Sequence, residues 1–188
     1  VRFIEKSKGY TIERTGNCDD LVPFDIQLFP GTYEVRAGGD NENTNLPGFD
    51  QVIHEALEIS APIASLPLDV TSHTLNISLL ANGVTAMANA DCYDGSSSHW
   101  TMWRVRFTEK TRGYTIDRTG NCDDLVPFDI ELFPGIYEVR AGGDSENTNL
   151  PGFDQVIHDA LEVSSDIPNL TLDVQSHTVN VSLLANGT

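Results

Sequence analysis

The chain contains two almost identical copies of one 84-residue stretch, placed 104 positions apart. Residues 1–84 and 105–188 align without a gap and differ at 18 of 84 positions. Most differences are conservative, and they cluster in residues 61–67 against 165–171, a segment that we expect to be a loop. Both copies should therefore form the same set of elements. Repeats this similar are typical of tandem arrays in which each unit is one supersecondary module.

A Pro-Gly pair between two alternating stretches marks the centre of each copy. In the second copy Pro134-Gly135 lies between Phe128–Leu132 and Tyr137–Ala141, where apolar residues alternate with charged ones. This alternation predicts two strands, each with one buried and one exposed face. Pro presets φ and Gly accepts positive φ, so the pair suits a type II turn. We therefore expect a β-hairpin here and at the equivalent Phe24–Leu28 and Tyr33–Ala37.

Other short alternating stretches continue along each copy. Trp103–Phe107 alternates large apolar residues with arginines, Gln51–Ile59 fits a strand better than a helix, and Asn82-Gly83 is a turn signal. About seven short strands per repeat, without a capped amphipathic run, are typical of an all-β sandwich. The expected units are the later part of a first β-sandwich at 1–70, a complete antiparallel β-sandwich at 71–174 and the first strand of a following one at 175–188, with residues 85–104 linking the two copies.

Three cysteines bear on the compartment. Cys18 and Cys122 are equivalent in the two copies, and Cys92 lies between the copies. The simplest pairing is a disulfide between Cys92 and Cys122 within one complete unit, which leaves Cys18 without a partner. Three buried free thiols are the alternative. A structural disulfide is typical of an extracellular protein or cell-surface protein, which is the localisation that we expect.

The charge excludes several partners. The net charge is −17, whereas nucleic-acid binding depends on Lys and Arg neutralising phosphates. Anionic membrane surfaces are disfavoured for the same reason. The sequence has no apolar run of the length that crosses a bilayer. We therefore expect no nucleic-acid partner and no membrane insertion.

The order of these motifs resembles a known family. It is similar to carboxypeptidase regulatory-like domains, the transthyretin-like (prealbumin-like) β-sandwiches with an Ig-like build that recur in tandem on secreted bacterial surface proteins. The resemblance spans the whole repeat and implies a structural or adhesive module without catalysis. The C-terminal Tyr-Arg-Gly-Ser signature of the hydrolases with this fold is absent. The motifs that carry the resemblance are Asn82-Gly83, Cys92, Arg104–Phe107, Gly113–Ile116, Cys122, Phe133–Arg140 and Asn149–Pro151.

An acidic, Asn-rich loop in each copy is the best candidate for an ion site. Calcium takes six to eight oxygen ligands, which such a loop supplies. The bidentate glutamate that ends an EF-hand is absent, and a solvated turn rich in Asp and Asn explains the same composition. No other cofactor is expected. The candidate calcium ligands are Asp40, Glu42, Asn43, Asp50, Asp144, Glu146, Asn147 and Asp154.

No catalytic constellation is recognisable, so we expect no enzyme. The five histidines lack His-x-His or His-x-x-x-His spacing. The serines at 96–98 lack the Gly-x-Ser-x-Gly turn that exposes a nucleophile. Trp100 and Trp103 are three positions apart and face opposite sides of a strand. Trp103 shares its side with Val105, which predicts a core position. Trp100 is a candidate for stacking on a sugar, with core or inter-module packing as the alternative.

Two functions follow as expectations. The first is a structural repeat segment of an extracellular fibre, stalk or adhesin. Residues 178–184 match a strand of the complete unit. This segment of one chain is therefore expected to complete the first sandwich of another chain and to grow a head-to-tail filament. The alternative is that the chain is a piece of a longer array, which explains the same arrangement of repeat units. The second is a glycan-binding or calcium-dependent adhesion module. The residues expected to form the assembly strand are Thr178, Val179, Val181 and Leu183.

Overall fold

The protein is all-β. The computed structural model describes residues 1–16, 23–39, 46–48, 50–87, 103–121, 127–145, 148–152 and 154–183. Within these ranges there are strands and turns but no helix. The strands are β1 (Arg2–Glu5), β2 (Thr11–Glu13), β3 (Gly31–Ala37), β4 (Gln51–Ile59), β5 (His73–Ala81), β6 (Val84–Thr85), β7 (Trp103–Glu109), β8 (Thr115–Gly120), β9 (Phe128–Leu132), β10 (Gly135–Gly143), β11 (Gln155–Val163) and β12 (Ile167–Val174).

The strands form three sheets. Sheet I has the order β2-β1-β3-β4, and sheet II has the order β11-β10-β7-β8. Sheet III has the order β12-β5-β6, with β9 also paired to β5. Sheets II and III share one hydrophobic core that includes Ile77, Leu132, Phe107, Val139 and Leu172. We call these two sheets the two-sheet unit, and their arrangement is consistent with a β-sandwich.

Strand β5 is the central strand of sheet III. Leu75 and Ile77 each have a neighbour in β9 on one side and in β12 on the other. Both side chains are completely buried. The pair β5–β12 is parallel, whereas the other strand pairs of the three sheets are antiparallel. The expected antiparallel sheets are thus confirmed, with the β5–β12 pair as an exception.

The predicted hairpin around Pro134-Gly135 is wrong. Strand β9 pairs with β5 in sheet III, whereas β10 pairs with β7 and β11 in sheet II. Alternation specifies which face of a strand is buried but not its partner, and both strands bury a face in the same core. A type II turn would also splay two paired strands, which disfavours a hairpin. Gly135 is itself the first residue of β10, and positive φ among the described glycines occurs at Gly9, Gly83 and Gly113.

Other predictions are confirmed or corrected in detail. Gln51–Ile59 is a strand, as expected. Asn82 and Gly83 have φ of 53° and 79° and connect β5 to β6, as in a type I′ turn. The expected loop at 165–171 is mostly wrong, because β12 begins at Ile167. Substitutions concentrate there because much of this edge strand faces solvent.

Sheet I and sheet II have the same pairing. Phe3 lies opposite Val35 in sheet I, and Phe107 lies opposite Val139 in sheet II. The irregularity between β3 and β4 also recurs between β10 and β11. Near-identical sequences thus form the same four-stranded sheet twice. We call residues 1–70 the first half and residues 71–183 the second half. The two halves differ in what covers their four-stranded sheet.

Candidate assembly surface

The apolar face of sheet I is only partly covered. Phe3, Tyr33 and Val35 form its small buried cluster. The side chains packed against this cluster are only partly buried, in contrast to the core of the two-sheet unit. They are Val1, Ile26, Leu28, Ile53, Leu57, Ile59, Leu66 and Leu68.

Two segments beside this face adopt irregular conformations although their equivalents are strands. Residues 24–28 correspond to β9, and residues 63–70 correspond to β12. Phe29 is 69% exposed, whereas the equivalent Phe133 is 1% exposed. Phe24 and Ile63 are exposed as well. Sheet I therefore presents an apolar surface flanked by two strand-like segments, which we call the acceptor surface.

The predicted assembly strand is described as far as residue 183. Residues 177–183 have the sequence His-Thr-Val-Asn-Val-Ser-Leu, close to His-Thr-Leu-Asn-Ile-Ser-Leu at the start of β5. They are irregular, and Val179, Val181 and Leu183 are 76%, 80% and 97% exposed. We call residues 177–183 the C-terminal segment. It carries the apolar alternation of β5 without a sheet around it.

The described calcium candidates are engaged in other contacts. Asp50 lies 3.1 Å from the guanidinium of Arg2, and Asp154 forms a salt bridge with Arg104. The backbone oxygen of Asp144 accepts hydrogen bonds from Thr148. In the described part of the chain, no three His, Cys, Asp or Glu side chains are grouped to hold a metal ion. The other candidates, Asp40, Glu42, Asn43, Glu146 and Asn147, lie outside the described residues, so the calcium site stays a prediction.

Of the tryptophan and cysteine predictions, the one for Trp103 falls on a described residue and the others do not. Trp103 is buried, as expected, and stacks on Phe128 at a ring-centroid distance of 5.1 Å. A Cβ added at Gly120 would lie 2.5 Å from the Trp103 ring, so this position requires glycine. Trp100 and all three cysteines, Cys18, Cys92 and Cys122, lie outside the described residues. Sugar stacking and the Cys92–Cys122 disulfide stay predictions.

The buried carboxylates of Glu5 and Glu109 accept hydrogen bonds from the turns that follow β1 and β7. Glu109 accepts hydrogen bonds from the backbone N–H groups of Thr111 and Arg112. The equivalent Glu5 accepts them from the Ser7 hydroxyl and the Lys8 N–H, and the Ser7 hydrogen bond lowers the pKa of Glu5. These bonds satisfy both carboxylates locally, and in Glu5 they stabilise the charged form.

The two halves of the chain contact each other through polar side chains. The Arg36 guanidinium donates to the Tyr114 hydroxyl at 3.4 Å. A cavity of about 250 Å³ lies beside this contact, lined by Gln51 of the first half and by Arg112 and Ile136 of the second. We call this contact region the junction. Several of its residues lie in stretches that the sequence analysis names, but alternation does not indicate that the two halves meet there.

Comparisons with known proteins add no family. No family model matches the chain, and neither does a curated protein or a solved structure. The resemblance to carboxypeptidase regulatory-like domains therefore stays a prediction. Among the described residues, no helix is long and apolar enough to cross a membrane.

The sequence predicted the assembly strand and the first sandwich as its acceptor, but not the residues of the acceptor surface. Its exposed members, Phe24, Phe29 and Ile63, are apolar positions that the second copy buries or half-buries at Phe128, Phe133 and Ile167. The repeat itself holds the signal. A strand that pairs with β9 and β12 in the second copy implies an equivalent strand between 24–28 and 63–70.

Proposed function

We propose that the chain is a structural repeat segment of an extracellular fibre, stalk or adhesin. In this proposal each repeat is an Ig-like or prealbumin-like sandwich. The C-terminal segment of one chain docks on the acceptor surface of another chain and takes the place that β5 has in the two-sheet unit. The exposure of Val179, Val181 and Leu183, whose equivalents in β5 are buried, carries the proposal.

The contacts of β5 supply the register of the docked strand. Leu75 lies opposite Ile130, and Ile77 lies opposite Phe128. In the docked strand the same pairing would bring Val179 opposite Ile26 and Val181 opposite Phe24. Burial of a Val or Leu side chain contributes about 1.5–3 kcal/mol, and the docked strand would bury apolar side chains on both partners.

Polar pairs on the outer face favour the same register. In the two-sheet unit, the Thr74 hydroxyl donates to Glu131 at 2.6 Å and the Asn76 amide donates to Asp129 at 2.8 Å. The equivalent pairs between copies are Thr178 with Gln27 and Asn180 with Asp25. Both pairs keep a donor and an acceptor. A one-residue slip would break them and turn the apolar side chains to solvent.

The mode of growth follows from where the two parts lie in the chain. The acceptor surface belongs to the first half and the C-terminal segment to the second, so one copy can use both at once. A contact between two different surfaces does not close on itself unless the rotation is right, and otherwise it grows a filament. The net charge of −17 opposes unspecific association, because like-charged copies repel.

Engineered cysteines test the register. The Asp25→Cys/Asn180→Cys variant should form disulfide-linked ladders under mild oxidation, because directly opposite strand residues lie within disulfide range. The Asp129→Cys/Asn76→Cys variant is the matched control and should form its disulfide within one chain. Mass spectrometry identifies the linked peptides, and an Asn180→Cys single variant accounts for pairing with the native cysteines.

Electron microscopy of the untagged chain at neutral pH supplies the second readout. Filaments together with the 25–180 linkage support the proposal. Monomeric particles without ladders, while the control disulfide forms normally, contradict donor-strand assembly. Filaments without the 25–180 linkage contradict the strand register and leave only the fibre role.

A further inference from the structure

We infer that the junction recurs between copies, with Arg140 of one copy binding Tyr10 of the next. The inference rests on the proposed strand docking and adds a second, polar surface to it. Its partner is a second copy of this chain. The intrachain junction is the template, because Arg140 is equivalent to Arg36 and Tyr10 is equivalent to Tyr114.

The arginine side of the junction exists twice in the chain. Arg36 is held by Glu34, with 2.5 Å between Nε and Oε1, and Arg140 is held by Glu138 at 2.6 Å. Val52 lies opposite Arg36 across the strand pair, and Val156 lies opposite Arg140. Directly opposite residues of an antiparallel pair share one face of the sheet. The outer face of sheet II therefore presents the same surface to solvent that sheet I presents to Tyr114.

Arg140, Val156 and Tyr10 have no junction partner among the described residues, and each is more exposed than its equivalent. The side chain of Arg140 is 41% exposed against 29% for Arg36. Val156 is exposed whereas Val52 is partly buried. On the tyrosine side, Tyr10 is 54% exposed whereas Tyr114 is partly buried. The second half thus exposes an arginine surface, and the first half exposes the tyrosine that fits it.

The chain path brings these surfaces together when the strand docks. The Ser176 N–H donates to Asn82 Oδ1 at 2.8 Å, and the Gln175 N–H donates to Gln155 Oε1 at 3.2 Å. The C-terminal segment therefore leaves the two-sheet unit beside Gln155. The equivalent Gln51 lines the junction cavity. Docking thus delivers the next copy's first half to the end of sheet II that carries Arg140.

The repeated connection predicts the same placement. Residues 71–72 lead from the first half into β5, and residues 175–176 lead from the two-sheet unit into the C-terminal segment. Both linkers are two residues long and precede the same His-Thr pair. If the docked strand occupies the position of β5, the short linker places Tyr10 near Arg140, as Tyr114 lies near Arg36.

Photo-cross-linking of the full chain tests the inference. Benzoylphenylalanine is introduced in place of Tyr10, of Tyr114 or of Ser182 in three variants, and linked peptides are identified after irradiation of assembled material. The Tyr10 probe should link two chains through the peptide that contains Arg140. The Tyr114 probe is the matched control and should link within one chain near Arg36. The Ser182 probe reports strand docking by linking to residues 63–70 of another chain.

The outcomes separate the inference from the proposed function. If the Ser182 probe links chains and the Tyr10 probe does not, or links elsewhere, the inference is wrong and strand docking stands. If neither probe links chains, both are wrong. The Tyr10 probe itself lacks the phenol, so the hydrogen bond is tested with the Ser182 probe in chains that keep Tyr10. Arg140→Ala should lower the interchain yield of the Ser182 probe about two- to tenfold under conditions of partial assembly, the range for loss of one hydrogen bond. Arg36→Ala should leave that yield unchanged, and an equal loss for both variants would contradict the assignment.

Discussion

The two halves of the molecule contain the same four-stranded sheet, but among the described residues only the second half has another sheet over its apolar face. Residues 24–28 and 128–132 differ only at Gln27 against Glu131, yet only the second stretch is a strand. The difference is the neighbour. In the second half β5 supplies a backbone partner for β9, and an isolated extended segment without such a partner does not hold strand geometry.

The C-terminal segment shows the converse. It has the sequence pattern of β5 but no sheet beside it, and its apolar side chains are exposed. A strand and its sheet therefore form together. Residues 24–28 and 128–132 have nearly the same strand propensity, so tertiary pairing makes the difference for this stretch. Residues 63–70 and 167–174 also differ in composition, because Pro67 stands where the second copy has Thr171. The near-identity of the copies also provides a matched control for almost every substitution.

The largest expected effect comes from a charge in the central strand. Ile77→Asp places a carboxylate at a completely buried position and should destabilise the two-sheet unit by more than about 4 kcal/mol. Val181→Asp, at the equivalent but exposed position, should change the stability of the unassembled chain by less than about 0.5 kcal/mol. Urea unfolding followed by tryptophan fluorescence measures both.

The same pair separates folding from assembly. Val181→Asp should abolish filament formation while leaving the unfolding curve intact, because the docked strand would bury the charge. Filaments of normal length from Val181→Asp would show that this segment does not dock as β5 does.

A second comparison uses the phenylalanine before the Pro-Gly pair. Phe133→Ala should cost about 3–5 kcal/mol, because the side chain is buried and leaves a cavity. Phe29→Ala should be nearly neutral in the unassembled chain, since that side chain is 69% exposed. Differential scanning calorimetry of monomer and of assembled material measures both. In the assembled state the Phe29→Ala cost should rise, and equal costs in the two states would argue that Phe29 stays exposed in the assembly.

In the third comparison, of Tyr33 and Tyr137, the two halves should respond alike. The Tyr33 hydroxyl donates to the Phe29 carbonyl, and the Tyr137 hydroxyl donates to the Phe133 carbonyl, both at 2.9 Å. Both tyrosines are buried, so Tyr33→Phe and Tyr137→Phe should each cost about 1 kcal/mol in urea unfolding. A cost confined to Tyr137→Phe would mean that sheet I is less ordered than sheet II.

Alkaline pH provides a further readout for Tyr137. Burial raises the pKa of its phenol above the ordinary value of 10.0. Stability from the neutral form is full below that ordinary value and declines as the pH rises through it towards the raised pKa. Tyr137→Phe should remove this decline.

Sequence patterns predicted the elements better than their partners. The Gln51–Ile59 strand, the Asn82-Gly83 turn and the core position of Trp103 all follow from local periodicity and turn chemistry. The partner of Phe128–Leu132 does not, because alternation indicates a buried face without saying which strand lies alongside. The prediction of a hairpin across Pro134-Gly135 failed for that reason.

The sequence identified the residues of the assembly strand but not those of the acceptor surface. Val179 and Val181 were recognised because they repeat the alternation of β5. The acceptor surface and the Arg36–Tyr114 contact were not, because they depend on what covers a sheet and on how the two halves meet. Such contacts are long-range, and polar surface residues carry no periodic signal.

The smallest expected difference lies in one ion pair of the two sheets. Arg106 binds Asp117 through two bonds of 2.6 and 2.7 Å, whereas Arg2 contacts the equivalent Glu13 at 3.4 Å. The Arg106 hydrogen bonds lower the pKa of Asp117 from its ordinary value of 3.8. Because the folded pKa is the lower one, the stabilisation is present above the ordinary value and is lost as the pH falls through the lowered pKa.

Solvent exposure limits the size of this effect. Asp117 is about one-third exposed, so Asp117→Asn should cost no more than about 0.5 kcal/mol at neutral pH, and Glu13→Gln should cost nothing measurable. Urea midpoints of both variants and the parent chain, measured from about pH 6 down to about pH 2, provide the test. The Asp117→Asn curve should converge with the parent curve at the acid end, because the parent has then lost the same interaction. A constant gap at every pH would instead attribute the cost to packing.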